Sequence, residues 1–260
     1  MVFQQERLSK NKLVVKDSKH KHQQPTDNKN GKYSEENSEH VILFQIKRQV
    51  KRIETSRGDT LKKAILYIHG KGGSYLEAEQ YRKNCPDFDM MGIDYDVDFP
   101  WIVQKQIKSA YDRTHKHYDH IYVLANSIGA YFAMHTLQAC DLEKAFFISP
   151  VLDMERLILD MMSWTKVSEK DLQERGEIPT DFGETLSWKY LCFVRENPII
   201  WNIPTEILYA GNDNLISPQT VEEFVSSHNA NLTVMEKGEH WFHTEEQLIF
   251  LNDWMKKAIC

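Results

Sequence analysis

The sequence predicts an α/β protein with a mostly parallel central sheet that is flanked by helices. Short, nearly all-apolar runs recur along the chain, and such runs are typical of strands that are covered on both faces. Segments with helical periodicity lie between these runs, and alternation of strands with helices is typical of βαβ connections. Hydrophobic residues make up 41% of the 260 residues, which is enough apolar side chain for a large core.

The predicted elements follow one another in a regular order. Segment 40–54 contains strand-forming residues that alternate only partially with polar ones. The predicted core strands are 64–68, 90–96, 120–126, 144–150, 205–213 and 231–238. Helical patterns occupy 99–118, 127–139, 217–229 and 244–259. Two helices carry N-terminal capping signals, because Ser217 precedes Pro218 and Gln247 follows Thr244 at capping-box spacing. We therefore expect one domain over residues 40–260.

Two segments depart from this alternation. Residues 1–39 are rich in Lys, Gln, Asn, Ser and His, and such a segment cannot bury enough apolar surface to offset the entropy lost on ordering. We therefore expect a polar, flexible N-terminal arm there. Residues 151–203 lie between two predicted strands, have a helical pattern and are too long for a single crossover. The sequence thus predicts a helical cap inserted into the domain.

Composition and charge disfavour several classes of protein. The net charge is −6 and the basic residues do not cluster within the domain, so nucleic acid is not an expected partner. The four cysteines are far apart and form no C-x-x-C pair, which disfavours a disulfide framework or a zinc site. His20 and His22 lack acidic ligands nearby, so no metal is expected. Without an apolar signal segment or a run of 18 apolar residues, we expect a cytoplasmic protein with no membrane span.

The stretch Ala125-Asn-Ser127-Ile-Gly129 lies between a predicted buried strand and an apolar helical segment. A nucleophilic serine needs its hydroxyl exposed on a tight turn, and crowding there requires small residues two positions before and after it. Ala125 and Gly129 meet this requirement. The structural alternative is that Ser127 only caps the helix. In the catalytic interpretation, Ser127 is the nucleophile and the backbone amide of Ile128 stabilises an oxyanion.

A glycine-rich loop, HGKGG at 69–73, follows the predicted strand 64–68. Glycines allow the backbone to come close to a substrate and to donate N–H groups to it. We predict the amide of Lys71 as the second oxyanion donor, with Gly72 as the next candidate. The structural alternative is a plain chain reversal. The order of residues does not match the phosphate-binding pattern G-x-x-x-x-G-K-[ST], which disfavours phosphate binding.

A serine nucleophile requires a base, and the base requires a carboxylate that holds it in the right tautomer. Asp213 and His240 each lie in a polar loop after a predicted buried strand, in the chain order Ser, Asp, His. Asp153 is the alternative acid, because it also follows a strand. His243 is the alternative base, although it lies closer to the last helix.

Together these motifs resemble the α/β-hydrolase superfamily over residues 60–258. HGKGG matches the oxyanion loop, ANSIGA the nucleophile elbow, GNDNLIS the acid loop and GEHWF the base loop, and the insertion falls where the family usually carries its lid. The departure is Ala125, where the family has glycine. The resemblance implies an eight-stranded sheet with one antiparallel strand, in which residues 40–54 would supply the early strands.

The predicted activity is that of a serine hydrolase, a carboxylesterase for small or medium acyl or aryl esters, with a small-molecule ester as its partner and with no cofactor. The cap segment offers side chains for an acyl or aryl pocket: Leu157, Ile158, Leu159, Met161, Met162, Trp164, Trp188, Tyr190 and Phe193. His69 and Trp241 are further pocket candidates. For each cap residue, packing against the body is the structural alternative. A peptidase, an acyltransferase and a non-catalytic binding protein on the same scaffold are the alternative functions.

Overall fold

The structure, a computed structural model, describes residues 61–259. A six-stranded sheet crosses this part of the chain in the order β2-β1-β3-β4-β7-β8, and every adjacent pair of strands is parallel. Its strands are β1 (Lys63–Ile68), β2 (Asp89–Gly92), β3 (His120–Asn126), β4 (Lys144–Ile148), β7 (Thr205–Ala210) and β8 (Ala230–Met235). A separate antiparallel hairpin consists of β5 (Glu177–Pro179) and β6 (Thr185–Ser187).

Helices connect the strands. They are α1 (Ala78–Arg82), α2 (Pro100–Thr114), α3 (Ile128–Leu137), α4 (Met154–Trp164), α5 (Glu169–Arg175), α6 (Trp188–Glu196), α7 (Pro218–Ser227) and α8 (Glu245–Ile259). Both predicted caps are present. The Ser217 side chain accepts the Thr220 amide at the start of α7. Before α8, the hydroxyl of Thr244 accepts the amide of Gln247 at 3.3 Å, and the Gln247 side chain accepts the amide of Thr244 at 3.5 Å.

Both faces of the sheet are covered, which explains its continuous apolar strands. In β1, Leu66 and Ile68 contribute to one core cluster and Ile65 and Tyr67 to another, as expected when successive side chains point to opposite faces. The first cluster includes residues of α2, α3 and α4, and the second includes residues of α1 and α8. The prediction of a mostly parallel sheet between helical layers is therefore confirmed.

The second predicted strand is shorter than its apolar pattern. The sequence predicts 90–96, but β2 ends at Gly92, and the amide of Ile93 still donates to the carbonyl of Tyr67 in β1 at 2.9 Å. A Cβ atom at Gly92 would lie only 2.0 Å from the carbonyl oxygen of Tyr75, so the backbone passes very close to the segment before α1. The eight strands and the antiparallel member implied by the resemblance are not found within 61–259, and segment 40–54 lies outside the described residues.

The predicted cap is present but is not purely helical. It contains α4, α5 and α6, and it also contains the β5–β6 hairpin, which the helical pattern did not predict. The hairpin is stabilised at its turn by the Thr180 amide, which donates to the carbonyl of Glu184 at 2.7 Å. Ile178 and Leu186, one from each strand, are buried in the first core cluster. Apolar burial thus anchors two strands that are too short to show a periodic pattern.

Within the described range, every helix is too short or too polar to cross a lipid bilayer.

Candidate active site

Ser127 lies between β3 and α3 in a backbone conformation that few non-glycine residues adopt, with φ 54° and ψ −124°. Its amide donates to the carbonyl of Ile148 at 2.9 Å, and its carbonyl accepts the amide of Val151 at 3.0 Å. Both partners belong to β4 or to the segment directly after it. The neighbouring strand therefore holds the turn in its strained conformation, and the hydroxyl is at the carboxyl edge of the sheet.

The small residues around Ser127 have a steric explanation. A Cβ atom at Gly129 would lie 2.4 Å from the carbonyl oxygen of Ile68 and 2.6 Å from that of His69, so any side chain would push α3 away from the end of β1. Ala125 is fully buried in β3, and its methyl group is accommodated there. The substitution of alanine for glycine at this position thus leaves the turn intact.

Asp213, His240 and Ser127 form a continuous hydrogen-bonded chain. His240 Nε2 lies 2.8 Å from Ser127 Oγ, and His240 Nδ1 lies 2.7 Å from Asp213 Oδ2. The other carboxylate oxygen accepts the amides of Leu215 at 2.8 Å and Ile216 at 3.0 Å. The Asp213 side chain has 0% exposure and that of His240 has 9%. A buried carboxylate that accepts Nδ1–H leaves Nε2 free to accept the serine proton.

The alternative acid and base lie elsewhere. Asp153 is exposed and caps α4, where its Oδ1 accepts the amide of Arg156 at 2.9 Å. The His243 side chain is 59% exposed and lies 3.4 Å from Glu239. Neither side chain takes part in the chain that ends at Ser127.

The glycine-rich loop forms a tight turn beside the elbow. The amide of Gly73 donates to the carbonyl of Gly70 at 3.1 Å, and Gly72, the third residue of the turn, has φ 73°. A Cβ atom at Gly70 would lie 3.1 Å from Ser127 Cβ, so the loop and the elbow are in direct contact. The hydrogen bond that closes the turn does not involve the amide of Lys71. The amide of Ile128 is the first in α3, and the first amides of a helix have no acceptor within the helix. Gly72 is exposed at the tip of the turn.

A cavity of about 310 Å³ opens beside Ser127 under the cap. Its lining is mostly apolar, and it includes Ile128 and Lys71 from the two proposed donor positions. The other lining residues are Val151, Met154, Leu157, Ile158, Met161, Trp164, Phe182, Glu184, Thr185, Leu186, Ser187, Tyr190 and Leu215.

Of the predicted pocket residues, five line this cavity: Leu157, Ile158, Met161, Trp164 and Tyr190. Six do not: His69, Leu159, Met162, Trp188, Phe193 and Trp241. Leu159 packs against the first core cluster, and the ring of Phe193 packs against Trp101 instead. Met162 is 3% exposed and packs in the core, because it faces the body side of α4. Trp188, at the start of α6, is half-buried and packs against the same core cluster. Trp241 follows His240 but is 78% exposed.

His69 is also placed away from the cavity and supports the loop instead. Its ring stacks on Tyr95 with centroids 4.3 Å apart, and the hydroxyl of Tyr95 donates to the carbonyl of His69. His69 Nδ1 lies 2.9 Å from the carbonyl oxygen of Gly70. The side chain is buried, so its contacts stabilise the backbone that leads into the glycine turn.

The residues that sequence reasoning missed come mainly from the hairpin. Phe182, Glu184, Thr185 and Leu186 line the cavity, and the Lys71 ammonium forms an ion pair with the Glu184 carboxylate. No local pattern places them there, because residue 184 meets residue 71 only after the cap folds over the loop. Within 61–259, no three His, Cys, Asp or Glu side chains form a group that could hold a metal ion.

Comparison with known proteins identifies the fold. No family model matches the sequence, and no curated protein is matched. Among solved structures, Est1E from Butyrivibrio proteoclasticus is similar at 16% identity with TM-score 0.60, over 78% of this chain and 89% of that chain. Alpha/beta hydrolase domain-containing protein 10 from mouse is similar at 14% identity with TM-score 0.59, over 75% and 89%.

A third solved structure, a soluble variant of monoglyceride lipase from Saccharomyces cerevisiae, is similar at 11% identity with TM-score 0.53, over 76% of this chain and 86% of that chain. At such identities the likeness concerns the backbone arrangement. The parallel sheet, the strained turn after β3 and these structural matches all indicate the same fold. The chain therefore has the fold of the α/β-hydrolase superfamily.

Proposed function

We propose that the protein is a serine hydrolase that cleaves carboxylic esters through an acyl-enzyme. The observation that carries this proposal is the chain of hydrogen bonds from Ser127 Oγ to His240 Nε2 at 2.8 Å and from His240 Nδ1 to Asp213 Oδ2 at 2.7 Å. These distances are within the reach required for proton transfer from a nucleophile to a base, and the base is oriented by a third group.

In the first half of the reaction, Ser127 Oγ attacks the ester carbonyl while His240 Nε2 accepts its proton. Asp213 stabilises the imidazolium that results, and its two backbone hydrogen bonds keep the carboxylate in place. The amides of Ile128 and Lys71 donate to the oxygen that becomes negative. His240 then gives the proton to the leaving alcohol, and the acyl group remains on Ser127.

In the second half, water takes the place of the alcohol. His240 removes a proton from the water, the resulting hydroxide attacks the acyl-enzyme carbonyl, and the proton returns to Ser127 as the acid is released. The residues named here supply every proton acceptor and donor that these steps require.

The cavity supports a small or medium acyl or aryl group as the part of the ester that is buried. Its volume of about 310 Å³ and its methionine, leucine and tryptophan lining suit apolar groups. Two structural neighbours with the same fold have been solved with ligands: Est1E with ferulic acid bound, and the soluble variant of yeast monoglyceride lipase in complex with a substrate analog. These ligands support an acyl or aryl ester as the substrate class of this chain.

Labelling with a fluorophosphonate probe and hydrolysis of p-nitrophenyl acetate test the proposal. Ser127→Ala removes the nucleophile, so we expect the circular dichroism spectrum to stay the same while labelling disappears and turnover falls by about 10⁴-fold or more. The matched control is Ser226→Ala, because Ser226 is exposed on α7 and, among the described residues, its hydroxyl donates only to the carbonyl of Glu223.

The same assays separate the alternatives. A wild-type protein that neither reacts with the probe nor hydrolyses the ester would rule out the esterase and support a non-catalytic binding protein. Faster cleavage of a p-nitroanilide than of the matching ester would indicate a peptidase. Preferential formation of a new ester when an alcohol is added would indicate an acyltransferase.

A further inference from the structure

The wall of the active-site cavity contains a phenol whose hydroxyl forms no hydrogen bond with any residue of 61–259. Tyr190 lies on α6 and lines the same cavity as Ser127. Its ring packs edge-on against Phe99 and Trp101, with centroids 5.8 Å and 6.1 Å away, so the side chain is held from outside the cavity. Its hydroxyl is buried, and no described residue forms a hydrogen bond with it. Buried hydroxyl groups are normally paired, so this one calls for a ligand.

A second phenol lies beside the first. The ring of Tyr131, on α3, is 6.4 Å from that of Tyr190, and its hydroxyl is also buried without a partner among residues 61–259. Burial raises the pKa of both phenols above the ordinary value, so both stay protonated at neutral pH and both can donate a hydrogen bond. Tyr190 lines the cavity of Ser127, whereas Tyr131 lines a neighbouring one.

The other polar groups of the cavity are already engaged or exposed. Lys71 and Glu184 form an ion pair with each other. The hydroxyl of Ser187 accepts the backbone amide of Tyr190 at 3.4 Å as the N-cap of α6. Thr185 is exposed. Among the described residues of this lining, Tyr190 is therefore the one whose buried hydroxyl forms no hydrogen bond.

We propose that Tyr190 is a specificity-determining residue that binds an oxygen atom on the acyl group of the substrate. The preferred esters then carry a hydroxyl or carbonyl oxygen on the acyl group in addition to the ester itself. The apolar residues around Tyr190, such as Met154, Leu157 and Leu186, contact the carbon skeleton, and the phenol selects for the oxygen. This inference rests on the proposed esterase function and names its substrate class.

An acyl group without such an oxygen would leave the phenol unpaired beside it. A site built to form a hydrogen bond discriminates against an analogue that lacks the matching group, because the buried polar atom then remains unsatisfied. One neutral hydrogen bond corresponds to a preference of about tenfold in kcat/KM. A cavity with phenylalanine at this position would lack the hydrogen-bonding group and therefore this preference.

The test compares p-nitrophenyl esters that differ in one oxygen. The pairs are 3-(4-hydroxyphenyl)propanoate with 3-phenylpropanoate, and 5-oxohexanoate with hexanoate. We expect the wild type to prefer the oxygen-bearing ester in at least one pair by about tenfold in kcat/KM, and Tyr190→Phe to bring that ratio close to one. The control is Tyr118→Phe, because Tyr118 precedes β3 at the opposite edge of the sheet, where its hydroxyl donates to Asp89; it should keep the wild-type ratio.

Equal kcat/KM values within both pairs, or a preference that survives Tyr190→Phe, would overturn the inference and leave the esterase proposal standing. A buried water shared only by Tyr131 and Tyr190 would give that result. If the wild type hydrolyses none of the esters, the esterase proposal fails. The inference about Tyr190 is then tested separately, by calorimetric binding of the two free phenylpropanoic acids to Ser127→Ala. Tighter binding of the hydroxylated acid that is lost when Tyr190→Phe is added would support the inference, and equal binding would overturn it.

Discussion

At the scale of single residues, backbone strain concentrates around the candidate active site. Four non-glycine residues in the described range have positive φ, and three of them, Ser127, Ser149 and Phe242, follow β3, β4 and β8 at the carboxyl edge of the sheet. Such conformations cost about 1–3 kcal/mol each and persist only where the surrounding contacts require them. The hydrogen bonds from Ser127 to Ile148 and Val151 are contacts of this kind.

Gly129→Ala tests whether the elbow depends on close packing. The new methyl group would overlap the carbonyl oxygens of Ile68 and His69, so α3 must move away from β1 and shift Ser127 with it. We expect the free energy of unfolding to fall by about 1–3 kcal/mol. We also expect turnover of p-nitrophenyl acetate to fall by about 100-fold, because a small misplacement of the nucleophile is costly. Chemical denaturation and steady-state kinetics measure the two effects.

Gly176→Ala is the matched control for this variant. Gly176 has φ 75° at the end of α5, and a Cβ atom there meets nothing within 4 Å. Gly176→Ala should lower the free energy of unfolding by about 1–2 kcal/mol, because alanine is strained in a left-handed backbone conformation. Turnover per folded molecule should stay unchanged. Wild-type turnover in Gly129→Ala would mean that the approach of α3 to β1 is not needed to orient Ser127.

At the scale of elements, one arginine joins the three helices of the cap. Arg195 on α6 donates from Nε to Glu155 on α4 at 2.7 Å, and from both terminal nitrogens to Glu169 on α5 at 2.8 Å. The double contact matches the planar geometry of a guanidinium with a carboxylate. The hydrogen bonds from Arg195 lower the pKa of Glu169, so the ionised form of this carboxylate stabilises the cap.

Arg195→Gln should lower the melting temperature, and the difference from wild type should depend on pH and salt. Because folding lowers the pKa of Glu169, the stabilisation is present above the ordinary value of about 4.3 and is lost as pH falls through the lower pKa of the folded state. High salt should also reduce the difference in melting temperature between wild type and Arg195→Gln, because the ion pairs of Arg195 are partly exposed and salt screens them. Thermal unfolding at pH 7 and pH 3, in low and high salt, measures both dependences.

Arg156→Gln is the control for the cap network, since within residues 61–259 the Arg156 side chain pairs only with Asp160 on its own helix. Its effect on the melting temperature should be smaller at every condition. An Arg195→Gln effect that is equally small would mean that the three-helix network does not hold the cap together.

At the scale of the whole molecule, the parallel sheet explains why the candidate site exists. Lys71, Ser127, Asp213 and His240 follow β1, β3, β7 and β8, and parallel strands present their carboxyl ends at one edge. Residues that are far apart in the sequence therefore meet there. The core that supports this edge lies on both faces of the sheet, and the described residues belong to one compact unit.

Phe146 and Phe147 test whether the two faces unfold together. They are adjacent in β4 and nearly fully buried, but Phe146 packs in the second core cluster and Phe147 in the first. We expect Phe146→Ala and Phe147→Ala each to lower the free energy of unfolding by about 3–5 kcal/mol in a single transition. Urea denaturation followed by circular dichroism and by tryptophan fluorescence measures this. Separate transitions for the two signals would contradict one cooperative unit.

The control for core truncation is Ile200→Ala. Ile200 is 68% exposed, so truncation of its side chain removes little buried apolar surface. The variant should change the unfolding midpoint far less than Phe146→Ala or Phe147→Ala does.

The sequence by itself determined the α/β fold, the position of the turn at Ser127 and the chain order of Ser127, Asp213 and His240. These features depend on local patterns: apolar runs typical of buried strands, small residues beside a sharp turn, and polar loops directly after strands. The N-terminal arm and the strands predicted within 40–54 stay predictions, because they lie outside the described residues.

Only the tertiary structure decided which side chains meet. It brought Asp213 rather than Asp153 to His240, and it added the β5–β6 hairpin with Glu184 to the cavity wall. It also removed six residues from the predicted pocket: His69, Leu159, Met162, Trp188, Phe193 and Trp241. The physical reason is that these contacts join segments far apart in the chain, and their geometry depends on how the cap packs on the body. The packing of the cap on the body determines which face of α4 or α6 is covered, and local sequence patterns cannot predict that face.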